Sequence, residues 1–453
     1  MQKSKIFSLS TTQIILLGFL VVILIGSVLL SLPISSANGC SVPYIDALFT
    51  ATTSTCVTGL VTVTTAKAWS LFGQIIILIL IQIGGLGIVT LMTAVMLLLN
   101  RKIGITDRLL IQDAFNLNTM SGLVVFVKKV LYGTFIVEGI GAVFYMFVFV
   151  PEFGIRGIWI SVFNSVSAFC NAGMDIIGDQ SLCNYSTNIT VNLTTAFLII
   201  LGGLGYIVWW DIIRVIRKRP KNGRMFFKSL TLHSKIAILS TVFLLLAGTA
   251  LIFLFEYNNP LTIANMSLLD KIQISFFQSV TTRTAGFSTV PQENLKNATS
   301  IISLILMFIG GSPVGTAGGI KTVTAAVLLY VSFSMIKGKN SVSLFGRTIS
   351  NHAIHRAVAV VTMSFTVMLI SSLLLATVTD ASLLNIMYET VSATATVGLS
   401  RNLTQTLNII GKIIIIFTMY FGRVGPISMA IALGNKNTSR NIIKDPIEEI
   451  SIG

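Results

Sequence analysis

Four short segments of this chain align without gaps, each opening on an aromatic residue and closing on a glycine. They run from Phe49 to Gly59, from Phe163 to Gly173, from Phe276 to Gly286 and from Tyr388 to Gly398. An apolar side chain follows each glycine: Leu60, Met174, Phe287 and Leu399. The glycines recur at nearly equal intervals, which marks one structural unit built four times in succession. Each segment lies between apolar runs long enough to cross a bilayer. These are Thr12–Ile34, Phe72–Leu99, Val124–Val150, Thr195–Ile213, Ile236–Phe255, Ile301–Ile336, Ala353–Val378 and Leu407–Leu433. With 53% hydrophobic residues and 10% charged ones, the chain has more apolar surface than a soluble core can hide.

The pattern predicts an all-α integral membrane protein with eight spanning helices, arranged as four tandem repeats of outer helix, pore helix, filter and inner helix. The repeats are expected at residues 1–121, 122–229, 230–347 and 348–453. The four segments are too short and too rich in Ser and Thr to cross the bilayer. They read as re-entrant helices with loops, and irregular backbone at that depth needs protein around it or a water-filled cavity beside it. Four copies about one axis supply both. A filter for cations turns backbone carbonyls towards the ion in place of its water, and glycine reaches the positive φ angles this demands. Gly59, Gly173, Gly286 and Gly398 are therefore the expected filter glycines. Val57, Thr58, Asn171, Ala172, Thr284, Ala285, Thr396 and Val397 precede them with further carbonyls. One small-residue segment alone would read equally well as close helix packing. Four in register favour a filter.

The net charge of +15 acts as a topology signal. Arg101, Lys102, Arg108, Lys128 and Lys129 fall in one loop, Arg214, Arg217, Lys218, Arg219, Lys221, Arg224, Lys228 and Lys235 in a second, and Lys337, Lys339, Arg347 and Arg356 in a third. The opposite loops hold few, such as Lys67, Arg156, Lys271, Lys296 and Arg401. The positive-inside rule then puts both termini in the cytoplasm. Nucleic acid is not an expected partner. The run after Lys3 and Lys5 is too long for a cleaved signal peptide and reads as a retained first helix. Cys40, Cys56, Cys170 and Cys183 have no metal-ligand spacing, and both a Cys40–Cys183 disulfide and free thiols satisfy the sequence.

An enzyme finds no support here. The stretch Gly315–Thr322 departs from a phosphate-binding loop because Ile320 separates Gly319 from Lys321. His233, His352 and His355 sit near helix ends, so no acid–base or metal constellation converges. A coupled transporter working by alternating access would use inverted repeats, whereas these four units share one orientation.

Two features of the inner helices stand out. The run Gly310–Gly319 contains Gly310, Gly311, Ser312, Gly315, Thr316, Ala317, Gly318 and Gly319 around Pro313 and cannot continue a helix. It reads either as a loop in the pore below the filter or as a hinge that permits close packing. Arg423, within Phe421–Pro426, is costly at mid-membrane depth unless it pairs or faces water; near a helix end it could instead snorkel to the interface. Glu389 is expected to brace the fourth filter, Asp46 to cap the first pore helix, and Arg283 to tie pore helix to filter. Glu138 is an intramembrane carboxylate without an evident partner.

The motifs Ile83-Gly-Gly-Leu-Gly87, Thr284-Ala-Gly-Phe-Ser288, Gly318-Gly-Ile-Lys321 and Thr396-Val-Gly-Leu399 resemble the Trk/Ktr/HKT superfamily of potassium transporters over nearly the whole chain. The likeness is greatest to the membrane subunits of bacterial Ktr systems. It implies potassium uptake across the plasma membrane, with potassium held at the filter residues and sodium either required or also carried. It further implies that Gly310–Gly319 is an intramembrane gate whose carbonyls bond to Arg423, with Val314 departing from the small residues usual there. A serine at the first filter position accompanies sodium transport in some plant relatives; this chain has Gly59. The implied partners are a second copy, forming a homodimer, and a cytoplasmic RCK-type ring that binds adenine nucleotide; no cofactor is expected in this chain itself. The basic loops and the tail from Asn435 to Gly453 are the docking surfaces such a ring would use, and anionic lipid headgroups would suit the loops equally.

Overall fold

The computed structural model describes residues 10–99, 103–114, 122–218, 220, 222–339, 342–425 and 429. Lys3, Lys5, Arg101, Lys102, Arg219, Lys221, Pro426 and the tail from Asn435 to Gly453 lie outside the described residues.

Local rules start most of the helices. Ser10 and Gln13 form a reciprocal capping box, the Ser10 hydroxyl accepting from the Gln13 amide and the Gln13 side chain from the Ser10 amide. Single caps from Ser70, Asn188, Thr231, Ser267, Ser350, Ser382 and Asn408 do the same work elsewhere. In chain order the principal helices are α1 (Thr11–Ser31), α2 (Tyr44–Cys56), α3 (Leu71–Leu86), α4 (Ile88–Leu98), α5 (Leu123–Phe153), α6 (Ile155–Phe169), α7 (Ile189–Leu204) and α8 (Tyr206–Arg217). They continue with α9 (Leu232–Glu256), α10 (Leu268–Thr281), α11 (Asn297–Phe308), α12 (Thr322–Ile336), α13 (Asn351–Ala376), α14 (Leu383–Ala395) and α15 (Ile409–Val424). Strands β1 (Ser343–Leu344) and β2 (Arg347–Thr348) pair antiparallel between α12 and α13.

The molecule is mostly helical and crosses the membrane several times. Among the described residues, α1, α5, α9 and α13 are long and apolar enough to do so alone. They turn large apolar side chains outward, including Leu24, Ile25, Phe135, Phe147, Phe243 and Leu373, as a lipid-facing surface should. The runs expected at Phe72–Leu99 and Thr195–Ile213 are not straight: α3 turns into α4 through 100° and α7 into α8 through 94°. Each turn falls on a left-handed glycine, Gly87 with φ 82° and Gly205 with φ 89°, a conformation that costs a residue bearing a Cβ about 1–2 kcal/mol. The expected break between Ile301 and Ile336 is present as residues 309–321, between α11 and α12.

The short helices α2, α6, α10 and α14 are sheathed by the rest and buried over most of their length. Their neighbours form a cycle. Helix α3 packs on α6, α7 on α10, α11 on α14, and α15 back on α2. The last step carries an ion pair: Lys412 of α15 meets Asp46 of α2 at 2.6 Å, both mostly buried. Asp46 is thus not the cap expected of it. Pro43 occupies that position without a side-chain bond, and the carboxylate instead ties the last helix to the first short one.

Candidate functional site

Each short helix ends where its segment turns towards the glycine. The residue two positions before the glycine is left-handed in every case: Val57 at φ 55°, Asn171 at 60°, Thr284 at 62° and Thr396 at 51°. Three of these are β-branched, for which this region is a true outlier costing roughly 1–3 kcal/mol. The glycines are left-handed too, at 96°, 63°, 83° and 97°.

The strain is held by bonds back to the parent helix. The amide of Thr58 donates to the Thr53 carbonyl, that of Ala172 to Ser167 and that of Val397 to Ser392, each at 2.8 Å; Ala285 donates to Thr281 at 3.0 Å. Hydroxyls add a second tier. Thr53 Oγ1 accepts from the Gly59 amide and Ser392 Oγ from the Gly398 amide, both at 3.0 Å. Ser167 Oγ accepts from the Met174 amide at 3.1 Å, and Thr281 Oγ1 donates to the Phe287 carbonyl at 2.5 Å. None of these four hydroxyl residues was singled out from sequence, although they occupy nearly the same register in the aligned segments.

The glycines form a closed ring. A Cβ on Gly59 would strike the carbonyl of Ala172, one on Gly173 that of Ala285, one on Gly286 that of Val397, and one on Gly398 that of Thr58. The order around the ring is the chain order, and the last member meets the first. Four carbonyls and four glycine Cα atoms are therefore crowded about one axis, with no room for a side chain.

Cavities lie on both sides of this ring and share no lining residue. One, of about 500 Å³, has the four glycines in its wall beside Asp175, Asp179 and Glu293; Asp179 pairs with Lys67. Burial pushes the Asp175 carboxyl, in the loop between α6 and α7, up to about 6, against the opposing pull of bonds from the Ile177 amide and Ser181. The other, of about 1020 Å³, is lined by the helix break at Gly87, the helix end at Gly425, the residues 313–315 and 317–321, His233, His352, Arg356 and Arg423.

The segment 309–321 lies between ring and larger cavity. It closes on itself through Gly310 N–H to Ile320 at 2.9 Å and Thr322 N–H to Gly311 at 2.9 Å. It also joins the break in α7: the amides of Ser312 and Thr316 donate to the carbonyls of Gly203 and Gly202 at 2.7 and 3.1 Å, and Tyr206 N–H donates to Val314 at 2.9 Å. Above it, a Cβ on Gly318 would collide with Thr396 Oγ1. Arg423 Nη1 donates to the Thr316 carbonyl at 2.7 Å and Nη2 to that of Gly84, so its guanidinium bonds to loop and first inner helix rather than snorkelling. Lys321 adds a bond from Nζ to Ala317 at 2.5 Å. Val314 stands left-handed at φ 62°. All eight loop residues singled out from sequence thus share one segment, and Arg423 meets it.

Other candidates resolve differently. Arg283 reaches the carbonyls of Thr241 at 3.4 Å and Gly310 at 3.2 Å, tying α9 to the start of the loop rather than α10 to its own filter segment. Glu389 accepts from Ser400 at 2.7 Å and from Thr404, a brace for the residues just past Gly398. Glu138 accepts from Gln82 Nε2 at 3.2 Å and faces Cys170 Sγ at 3.8 Å. All four cysteines are free thiols. Among the described residues no cluster of His, Cys, Asp and Glu could hold a metal ion.

Residues 4–443 match the family model described as TrkH, cation transport protein. The chain is 42% identical to the potassium/sodium uptake protein NtpJ of Enterococcus hirae, covering 98% of each. It is 37% identical to the Ktr system potassium uptake protein B of Bacillus subtilis, covering 100% of each. The crystal structure of the potassium transporter TrkH from Vibrio parahaemolyticus superposes with a TM-score of 0.73 at 18% identity, over 96% of this chain and 87% of that one.

Proposed function

Since the chain belongs to the TrkH family of cation transport proteins, we propose that it takes up potassium through a pore whose filter is the glycine ring. The observation that carries this is the closure of four left-handed glycines, in chain order, about four carbonyl oxygens. Val57, Thr58, Gly59, Asn171, Ala172, Gly173, Thr284, Ala285, Gly286, Thr396, Val397 and Gly398 then supply the oxygens that replace the water of a dehydrated cation. The four-repeat, eight-span architecture follows, with α11 and α12 as the halves of one interrupted inner helix and α15 as the inner helix of the fourth repeat.

The carboxylates of the smaller cavity concentrate cations outside the ring. The segment Gly310–Gly319 is the gate: it blocks the path below the ring and is held there by Arg423, whose charge is also a barrier to a cation. Both termini are cytoplasmic and the membrane is the plasma membrane. The chain works as the translocating subunit of a Ktr-type homodimer carrying an RCK-type nucleotide-binding ring.

A second reading, that sodium is carried as well, draws on the naming of the Enterococcus hirae relative for both ions. The test is rubidium and sodium uptake in cells lacking their own potassium import, repeated in liposomes. Rubidium should enter and sodium should enter far more slowly; comparable sodium uptake would favour the second reading, and uptake of neither would refute both.

A further inference from the structure

Asn171 differs from its counterparts in the other three segments, Val57, Thr284 and Thr396, in carrying an amide. It is 1% exposed, and its two side-chain ends are pulled in different directions. Oδ1 accepts from the Thr316 hydroxyl at 3.1 Å, and the same hydroxyl reaches the Phe169 carbonyl, at the end of α6, at 3.0 Å. Nδ2 donates at 3.4 Å to the carbonyl of Arg283, three residues before Gly286 in the third segment. Thr316 is held in turn by Arg423 through its carbonyl. Arg423, Thr316 and Asn171 therefore form one unbroken chain of bonds from the gate to the filter.

We infer that Asn171 is the positioning residue that couples filter occupancy to the gate, its side-chain oxygen being contested between the Thr316 hydroxyl and a cation at the inner end of the ring. This rests on the pore reading above. A hydroxyl and a cation both seek the same oxygen lone pairs. When an ion draws Oδ1 towards itself, Thr316 loses a buried partner and the loop loses one of its bonds to the filter. Linkage makes the effect mutual: a loop that has let go of Asn171 leaves the oxygen free, and the ion binds more tightly.

Rubidium uptake into liposomes, measured against rubidium concentration, separates this from mere packing. Thr316→Val keeps the shape and removes the hydroxyl; it should raise the maximal rate and lower the half-saturating concentration about fivefold, the worth of one uncharged hydrogen bond. Thr316→Ser should restore both. Asn171→Gly, which suits a left-handed position, removes the contested oxygen, and in that background Thr316→Val should leave the half-saturating concentration where it was. Arg423→Gln should still raise the maximal rate there. If Thr316→Val acts equally with and without Asn171, or changes the rate alone, the coupling is refuted. If wild-type protein carries no rubidium, the pore reading falls instead.

Labelling gives a measurement independent of transport. A thiol introduced by Ala317→Cys should become more reactive from the large cavity when rubidium is added, and Asn171→Gly should abolish the increase. An unchanged response in Asn171→Gly would overturn the proposal.

Discussion

Val57, Asn171, Thr284 and Thr396 hold a conformation that three of them resist, and the bonds to α2, α6, α10 and α14 keep them in it. The ring glycines are more exacting, because any Cβ there meets a neighbouring carbonyl. Gly59→Ser should cost rubidium-over-sodium discrimination about tenfold, the equivalent of the 1–2 kcal/mol that a side chain at that φ adds, read as the ratio of uptake rates. Asp175 gives the site a pH dependence. Its carboxyl titrates near 6, above its ordinary value, so the charge is present above that pH and lost below it. The sign for stability is the reverse: the fold favours the protonated form, so this group's contribution is full at low pH and is lost as pH rises through about 6. Uptake at limiting rubidium should fall about threefold, a single charge acting across water, as external pH drops through 6; Asp175→Asn should flatten the profile. The glycines were legible in sequence because the repeat displays them four times. The bracing hydroxyls of Thr53, Ser167, Thr281 and Ser392 were not, since Ser and Thr fill these segments and only geometry tells which of them turn back to the backbone.

The inner helices share a device that spacing alone did not reveal. Gly84 and Gly87, Gly202 and Gly205, and Gly422 and Gly425 stand three apart. The first of each pair lies against a carbonyl near the end of a short helix, Thr55, Phe169 and Thr394 respectively. The second is left-handed and ends the helix. One glycine admits the end of a short helix and the other ends its own helix; after Gly87 and Gly205 the next helix sets off at 100° and 94°. Gly202→Leu should therefore prevent α7 from seating on α6, and detergent-extracted protein should lose its monodisperse peak well below the wild-type temperature. Arg423, following Gly422, takes the place that Gly85 and Gly203 hold in the other inner helices. Arg423→Gln should increase rubidium flux severalfold, the loss of a charge-assisted bond, while leaving the rubidium-to-sodium ratio near that of wild type. Apart from the break at 309–321, the apolar runs coincide with helices wherever the residues are described, the end of Leu407–Leu433 lying outside them, but the bends did not follow from hydropathy. Hydropathy counts residues able to lie in lipid and is blind to a backbone that turns aside within protein. Asp46 was misread for a related reason: an acidic residue near a helix start suggests a cap, and only the return of α15 to α2 supplies Lys412.

At the scale of the whole molecule, the basic loops supply the argument for the proposed orientation. A cysteine placed between Arg217 and Arg224 should be labelled only by reagents that cross the membrane; labelling from outside would overturn the topology. The seam between α15 and α2 has a consequence for how the protein is made. Asp46 is translated long before Lys412, and the carbonyl of Thr58 waits as long for Gly398. While the ribosome works through the intervening chain, the emerging polypeptide has at most three quarters of a ring, with one side open. On the pore reading proposed above, a conduit exists only once the final quarter folds back to the first. On that reading a chain abandoned midway has no closed ring and so no route for ions, the order of the residues alone deferring any leak until synthesis is complete.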